Sequence, residues 1–448
     1  MIRKRLRILW LVLLLGSLLT LPLRAAAQDP AQPLNLRQTI DEALQANLGL
    51  QRSKEEVQAA QATKKARRAE FLPNVNVTYS LTHRDVEQSQ KAFGLPGTPD
   101  FVVRPQDEYA FVTTFTQPIF TGFALINQYK IASLGLNVAE FNEKVTRQDV
   151  ILDAKNAYFS VLKTQKLVDI AKQTVKNIAA QKEVAENFYQ VGMSPLNELL
   201  QAQVELANAK QDQIVAQNNL EIAKSQFNTI LRRPINAPVA IEDILDYRPY
   251  AKNIDESLSM ANRNRLEIKV ADLEIEIAEK DVKLAQRDYV PSINLKWTGT
   301  NLGTDYRVNG GEGISDSSFW NVQAVASWDI WAWGKTYYGM KEKLSRLSQA
   351  KLRKTEILDN INLEVKQAYL RTKEAEENIT TIEKAIEQAR ENFRINEERY
   401  KEQVATTTDV LDAQTLLART MTNYFNALYD FKIAKATLHR AMGQEVLE

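Results

Sequence analysis

The side chains that most often carry chemistry are scarce in this sequence of 448 residues. There is no cysteine, which excludes disulfides, thiolate metal sites, cysteine nucleophiles and lipidation on cysteine. The two histidines, His83 and His439, stand far apart in a predicted strand and a predicted helix. Carboxylates are plentiful, but none falls into a nucleophile elbow, a phosphate-binding loop or a metal-ligand cluster. The residues point to a protein without catalytic residues or cofactor. The balance of 57 basic and 56 acidic side chains leaves no basic footprint for nucleic acid.

What the chain has instead is length without interruption. Glycine and proline together occupy 28 positions, 15 and 13 respectively, about half of average usage. Long regular elements are therefore expected. At the N-terminus Arg3, Lys4, Arg5 and Arg7 precede an apolar run from Ile8 to Leu21, followed by Ala25-Ala26-Ala27. This is the pattern of a secretory signal peptide over residues 1–27, with cleavage after Ala27; the alternative is an uncleaved anchor, for which the run is short. Its removal takes five basic residues and leaves 52 basic against 56 acidic, a net charge of −4. No later apolar run reaches the roughly 18 residues of a membrane-spanning helix, so any membrane crossing has to use strands.

The two halves of the chain resemble each other. Tyr189–Leu231 lies over Tyr400–Met442 at a constant offset of 211, aligning Ala202-Gln203 with Ala413-Gln414 and Ile222-Ala223-Lys224 with Ile433-Ala434-Lys435. Near the start of each half the offset is 218, so the first copy carries seven extra residues between Pro73 and Ile119, placed in a loop. This divides the chain into a first repeat (28–232), a linker (233–254) and a second repeat (255–448). Each repeat is predicted as a helix, two strands, a very long helix, a tight break and a further helix. In the first copy these helices cover about 36–70, 125–189 and 195–231, the middle one about 100 Å long. Leu199, Ala202, Leu206, Ala209, Gln213, Ala216, Leu220, Ala223, Phe227 and Ile230 are spaced alternately by three and four, as a coiled-coil seam requires. Val410 to Ala441 repeats the spacing.

The strands alternate apolar and polar residues. Val75, Val77, Tyr79 and Leu81 interleave with Asn76, Thr78, Ser80 and Thr82, and Trp320, Val322, Ala324 and Ala326 with Asn321, Gln323 and Ser327. Soluble hairpins show the same period. Aromatic placement favours a barrel in lipid: Trp328, Trp331 and Trp333 gather where the last strand ends, and Phe120 and Phe123 hold the equivalent place in the first copy, as a membrane-interface girdle would. Four strands cannot close a barrel, so several chains must contribute, with twelve strands from three copies the simplest choice.

With the tandem duplication, the Gln117-Pro118-Ile119-Phe120-Thr121-Gly122 strand end, Ala157-Tyr158 and Tyr189-Gln190-Val191-Gly192, the chain resembles the TolC-like outer membrane efflux proteins over nearly all of its mature length. The resemblance implies a mainly α fold with membrane β-strands, assembled as a homotrimer. A 12-stranded β-barrel would stand in outer membrane lipid on a periplasmic α-helical barrel. It implies the exit duct of a tripartite efflux or type I secretion system, working with a periplasmic adaptor and an inner-membrane transporter. It also implies a periplasmic gate at Asp409 and Asp412, which lie three residues apart on one helical face and would form two anionic rings. A first-turn carboxylate is also favoured at Asp409 simply by the helix dipole. Tyr400 and Glu198 match positions of the family's tyrosine–acid link. Ala405 stands where a related lock has arginine and Gln403 where glycine is usual, so the closed state rests on other contacts or is looser. An exported periplasmic adaptor or coiled-coil scaffold is the alternative reading.

Overall fold

The computed structural model describes residues 33–91, 100–244 and 247–447. The signal-peptide segment lies outside the described residues. Each half contributes two short helices, strands, a 67-residue helix and a 35-residue helix. In the first half these are α1 (Leu36–Ala46), α2 (Leu48–Ala69), β1 (Asn74–His83), β2 (Gln88–Lys91), β3 (Asp100–Arg104), β4 (Asp107–Phe120), α3 (Ala124–Gln190) and α4 (Leu196–Ile230). The second half has α5 (Ile254–Asn264), α6 (Leu266–Ala285), β5 (Ser292–Gly303), β6 (Ser318–Ser327), α7 (Lys335–Lys401) and α8 (Thr407–Ala441).

Two expectations need correction. The single opening helix over 36–70 is broken in two, because Asn47 takes an extended backbone (ψ 121°) and its side chain accepts from Leu50 N to cap the second piece. Arg265 makes the matching break in the second half. The inserted segment of the first copy is also more than a loop, since β2 and β3 pair as a separate antiparallel hairpin.

The remaining four strands form one antiparallel sheet in the order β1-β4-β5-β6. Its register decides what the alternation means. Val75 pairs with Phe115 and Phe115 with Trp297, which in turn pairs with Val322. Side chains alternate across a strand, so cross-strand partners share a face. One face of the sheet therefore carries Val75, Val77, Tyr79 and Leu81 with Phe111, Phe115, Leu295, Trp297, Trp320 and Val322. The other carries Asn76, Thr78, Thr114, Thr116, Asn294, Thr298, Asn321 and Gln323. Val75, Val77, Tyr79, Leu81, Trp320 and Val322 are each more than half exposed. An apolar face of this extent, backed by a polar one, suits lipid on one side and water on the other. Gly299 is required by this packing: a Cβ there would lie 2.6 Å from the Trp297 ring, which lies over it.

Below the sheet the long helices pair within each half, α3 with α4 and α7 with α8. The expected seam of α4 is buried at Leu199, Ala202, Ala209, Leu220, Ala223 and Phe227, and that of α8 at Val410, Ala413, Leu417, Ala427, Phe431, Leu438 and Ala441. The thickest core lies midway, where Val150 to Val168 of α3 meet α1, the end of α4 and Tyr429 of α8. A strap from the linker closes it: Leu34 N donates to Ala240 O (2.9 Å), Glu242 N donates to Leu34 O (3.0 Å), and the Tyr158 hydroxyl reaches Glu242 O (2.6 Å). Asn228, fully buried, holds the strap's start by donating to the carbonyls of Ile235 and Ala237. No helix among the described residues is long and apolar enough to cross a membrane.

Tyr158→Phe keeps the packing but removes the hydroxyl bond to the strap. It should destabilise the fold by about 1 kcal/mol and hasten proteolytic cleavage in the 233–250 segment; unchanged cleavage kinetics would show that the strap is held without it.

Candidate functional site

The ends of the long helices farthest from the sheet form a tip of two tight turns. In the first, α3 stops at Gln190 and Gly192 takes a left-handed backbone (φ 76°), with Gly192 N donating to Tyr189 O (3.0 Å) and Met193 N to Phe188 O (2.8 Å). In the second, α7 stops at Lys401 and Gln403 takes the same conformation (φ 59°), with Gln403 N donating to Tyr400 O (3.0 Å) and Val404 N to Arg399 O (2.9 Å). Both are the helix-ending motif that glycine normally supplies. The missing glycine at Gln403 therefore does not change the turn; it adds backbone strain of about 1 kcal/mol.

Asp409 belongs to a capping box at the start of α8. Its Oδ2 accepts from Thr406 N (2.8 Å) and from Thr406 Oγ1 (2.8 Å), and the Thr406 hydroxyl accepts from Asp409 N (3.3 Å). The backbone bond from Thr406, then its hydroxyl, hold the Asp409 carboxyl below the usual carboxylate range. Asp409 thus caps its own helix and stays exposed. Asp412, one turn on, is exposed on the same side, opposite the buried Val410, Leu411, Ala413 and Gln414.

Tyr400 and Glu198 are brought together through a third residue. Thr407 Oγ1 lies 3.0 Å from Glu198 Oε2 and 2.9 Å from the Tyr400 hydroxyl, and Thr407 is fully buried. A carboxylate only accepts and threonine has one hydroxyl hydrogen, so Thr407 donates to Glu198 and Tyr400 donates to Thr407. Burial pushes the Tyr400 phenol up, and the charge of Glu198 adds to it. The ring meets that of Phe188 of α3 at 5.4 Å, tilted by 42°. Beside this chain Thr408 donates to Gln201 (3.0 Å), and Asn177 of α3 donates to Gln414 of α8 (2.9 Å). Apart from the Tyr400–Thr407 bond, which lies within the α7–α8 pair, these contacts tie that pair to α3–α4. Sequence reasoning missed Thr407. Its signal was the run Thr406-Thr407-Thr408, which supplies one cap and two cross-pair donors.

At the opposite ends of the long helices the sheet joins them through a repeated kink. Gly122 and Phe123 have φ of 59° and 65°, and Trp333 and Gly334 have 50° and 81°. A Cβ at Gly122 would lie 2.7 Å from Arg287 O, so only glycine fits there. Phe120 and Phe123 meet edge to face at 5.4 Å, and Trp331 and Trp333 at 5.8 Å. Trp328, Trp331 and Trp333 are 52%, 75% and 86% exposed, an expensive arrangement in water.

The family model for outer membrane efflux proteins matches residues 39–231 and again 257–444, once in each half. The chain belongs to the outer membrane efflux protein family. Among curated relatives, outer membrane protein TolC of Vibrio cholerae is 20% identical over 394 residues, 84% of this chain and 83% of the relative. TolC of Salmonella enteritidis is 22% identical over 439 residues, 92% of this chain and 82% of the relative. Two solved structures share the fold. VceC from Vibrio cholerae (17% identical, TM-score 0.78) is matched over 91% of this chain and 96% of that one. The open-state MtrE outer membrane channel of Neisseria gonorrhoeae (18% identical, TM-score 0.75) is matched over 91% and 89%.

The protein is therefore an outer membrane efflux channel, and the alternative of a periplasmic adaptor or scaffold is set aside by the family match. The family is one of exit ducts and not of enzymes.

Replacing Gln403 by glycine should relieve the left-handed strain and stabilise the tip turn by about 1 kcal/mol. Amide exchange across residues 399–407 should slow measurably; faster exchange would mean that the Gln403 side chain holds the turn.

Proposed function

We propose that this chain is a homotrimeric exit duct, gated at its periplasmic tip and supplied by an inner-membrane transporter through a periplasmic adaptor. It performs no chemistry of its own and takes no cofactor. The observation that carries the gate is the buried Tyr400–Thr407–Glu198 hydrogen-bond chain. It joins the two helix pairs of one protomer at the same level as the exposed Asp409 and Asp412. Widening the tip requires the α7–α8 pair to move against the α3–α4 pair, and this chain opposes that movement. The contacts of Thr407, Thr408 and Gln414 take the place of the arginine lock for which Ala405 leaves no side chain.

Three copies would set six carboxylates around the tip axis, from Asp409 and Asp412. Rings of like charge at close quarters favour cations and repel anions. Capping and gating are compatible roles for Asp409, because the Thr406 bonds keep the carboxyl ionised while it remains exposed. The trimer is supported by the sheet, whose four strands leave β1 and β6 as open edges. It is supported also by exposed apolar side chains on the helices, Leu200, Val204, Val215 and Ile222 of α4 and Leu352, Leu363 and Leu370 of α7. Trp328, Trp331, Trp333, Phe120 and Phe123 would form the girdle at the periplasmic interface of the outer membrane. We divide the mature chain into repeats at 28–232 and 255–448 about a 233–254 linker, which the two matched stretches support.

Planar-bilayer conductance tests the gate. Asp409→Ala with Asp412→Ala should bring the cation-to-anion permeability ratio toward one, and unchanged selectivity would remove both residues from the gate. Thr407→Val, which is isosteric but cannot bridge, should cost the closed arrangement about 1–3 kcal/mol per protomer. Channel opening should then become at least several-fold more frequent; wild-type opening frequency would contradict the latch.

A further inference from the structure

The long helices of the two halves stand side by side with a seam in the middle and a flank at each end. Each long helix lies against its short partner, α3 against α4 and α7 against α8, and α3 and α8 meet between the pairs. That leaves α4 on one flank and α7 on the other. The halves repeat at an offset of 211 with matching bounds: Ala124–Gln190 becomes Lys335–Lys401, and Leu196–Ile230 becomes Thr407–Ala441. Every residue of the α3–α8 seam therefore has a counterpart on α7 or α4.

Side chains hold the seam at three levels. Asp149 pairs with Arg440 (2.7 Å), Lys163 pairs with Asp430 (3.0 Å), and Asn177 donates to Gln414 (2.9 Å). Shifted by the offset, the α3 members become Asn360, Glu374 and Gln388 of α7, and the α8 members become Thr229, Asn219 and Gln203 of α4. All six counterparts are exposed among the described residues, and no counterpart pair sets like charges together. Burial differs in the same sense along the helices. Leu411 of α8 is 4% exposed and its counterpart Leu200 of α4 is 49% exposed, while Gln414, Leu428 and Tyr429 are buried and Gln203, Gln217 and Asn218 are not. On α7, Leu352, Leu363 and Leu370 are each more than half exposed, and the helical period puts them on one face with Glu374 and Gln388. Beside Thr229 a cavity of about 730 Å³ opens in the α3–α4 flank, with Ile222, Ile230 and Ile235 in its wall. Leu363 stands one turn from Asn360, the counterpart that faces Thr229.

We propose that these flanks meet a second copy of the chain head to tail, α7 of one copy taking against α4 of the next the place that α3 takes against α8 within the chain. This rests on the trimeric reading and adds which faces meet and in what register. Gln388 of the partner subunit lies at Gln203, Glu374 of the partner subunit at Asn219, and Leu363 of the partner subunit enters the cavity beside Ile222. The sheet agrees, since β6 leads into α7 at one open edge and β1 forms the other. A head-to-tail contact repeated about an axis closes into a ring.

The sequence has no cysteine, so introduced thiols report cleanly. The full-length protein carrying Gln203→Cys and Gln388→Cys is treated in lipid nanodiscs with a short bis-methanethiosulfonate and run on a denaturing gel, beside native mass spectrometry of the untreated particle. Both positions are exposed and lie on opposite flanks, so the fold is spared and the link forms between copies. Covalent trimers reversed by reductant are expected from the double variant, and monomers alone from either single variant. With Lys210→Cys in place of Gln203→Cys, two turns or about 10 Å along α4, the link should be lost. Leu363→Asp should lower the temperature at which the trimer dissociates. A particle that is trimeric by mass, yet whose double variant stays monomeric on the gel with both thiols labelled, would overturn the head-to-tail arrangement and leave the trimer standing. Links from a single variant, or equal linking through Lys210→Cys, would do the same, and an unchanged dissociation temperature would overturn the place given to Leu363. A particle monomeric by mass would overturn both readings.

Discussion

Backbone hydrogen bonding in lipid is the constraint on which the rest of this structure depends. Within the sheet, β4 and β5 are paired on both sides, while β1 and β6 each offer one row of donors and acceptors with no partner strand among the described residues. Water can satisfy such groups in a soluble protein, but hydrocarbon cannot, and each orphan there costs several kcal/mol. The lipid-facing row of Val75, Val77, Tyr79, Leu81, Trp297, Trp320 and Val322 commits the sheet to that environment. On the proposed reading, the chain is a part that becomes complete only with other copies. The two-fold repeat follows the same economy, since one helix–strand–strand–helix unit used twice supplies both an inner pair, β4–β5, and two outer edges.

The helices answer a different demand. A rod of 67 residues, about 100 Å long, cannot be buried around its whole circumference by one protomer. Its stability comes from a narrow seam of alternating large and small residues against its partner. Ala202, Ala209, Ala413 and Ala427 let the rods approach closely. Among the described residues the thickest core sits halfway along, where α1, the linker strap and Tyr158 brace the rods. Beyond it towards the tip, the pairs meet at a small apolar cluster of Ile178, Ala209 and Leu411 and through side-chain hydrogen bonds. Hydrogen bonds such as Tyr400–Thr407–Glu198 and Asn177–Gln414 hold geometry at small net energy, as the proposed gate would require.

Much of this was legible in sequence because it depends on periodicity. The three–four spacing located the seams, the period of two located the sheet faces, and the constant offset of 211 showed that both halves make the same turn at Gly192 and Gln403. What escaped was decided by side chains acting locally. Asn47 broke a helix that the apolar pattern carried through, because one amide capped the next segment better than the helix could continue. The β2–β3 hairpin was hidden in a stretch of mixed composition. At the tip, Tyr400 and Glu198 could be named but their connection could not. Thr407 lies 209 residues from Glu198, and only folding shows that its hydroxyl stands between them.

The central claim is that one chain is an incomplete part of a closed barrel. Native mass spectrometry of the particle extracted from the outer membrane in mild detergent tests it most directly. A single species with three copies of the mature chain is the predicted result, its four-stranded sheets together supplying twelve strands. A stable, folded monomer in lipid or detergent would contradict the account, because β1 and β6 would then have to remain unpaired.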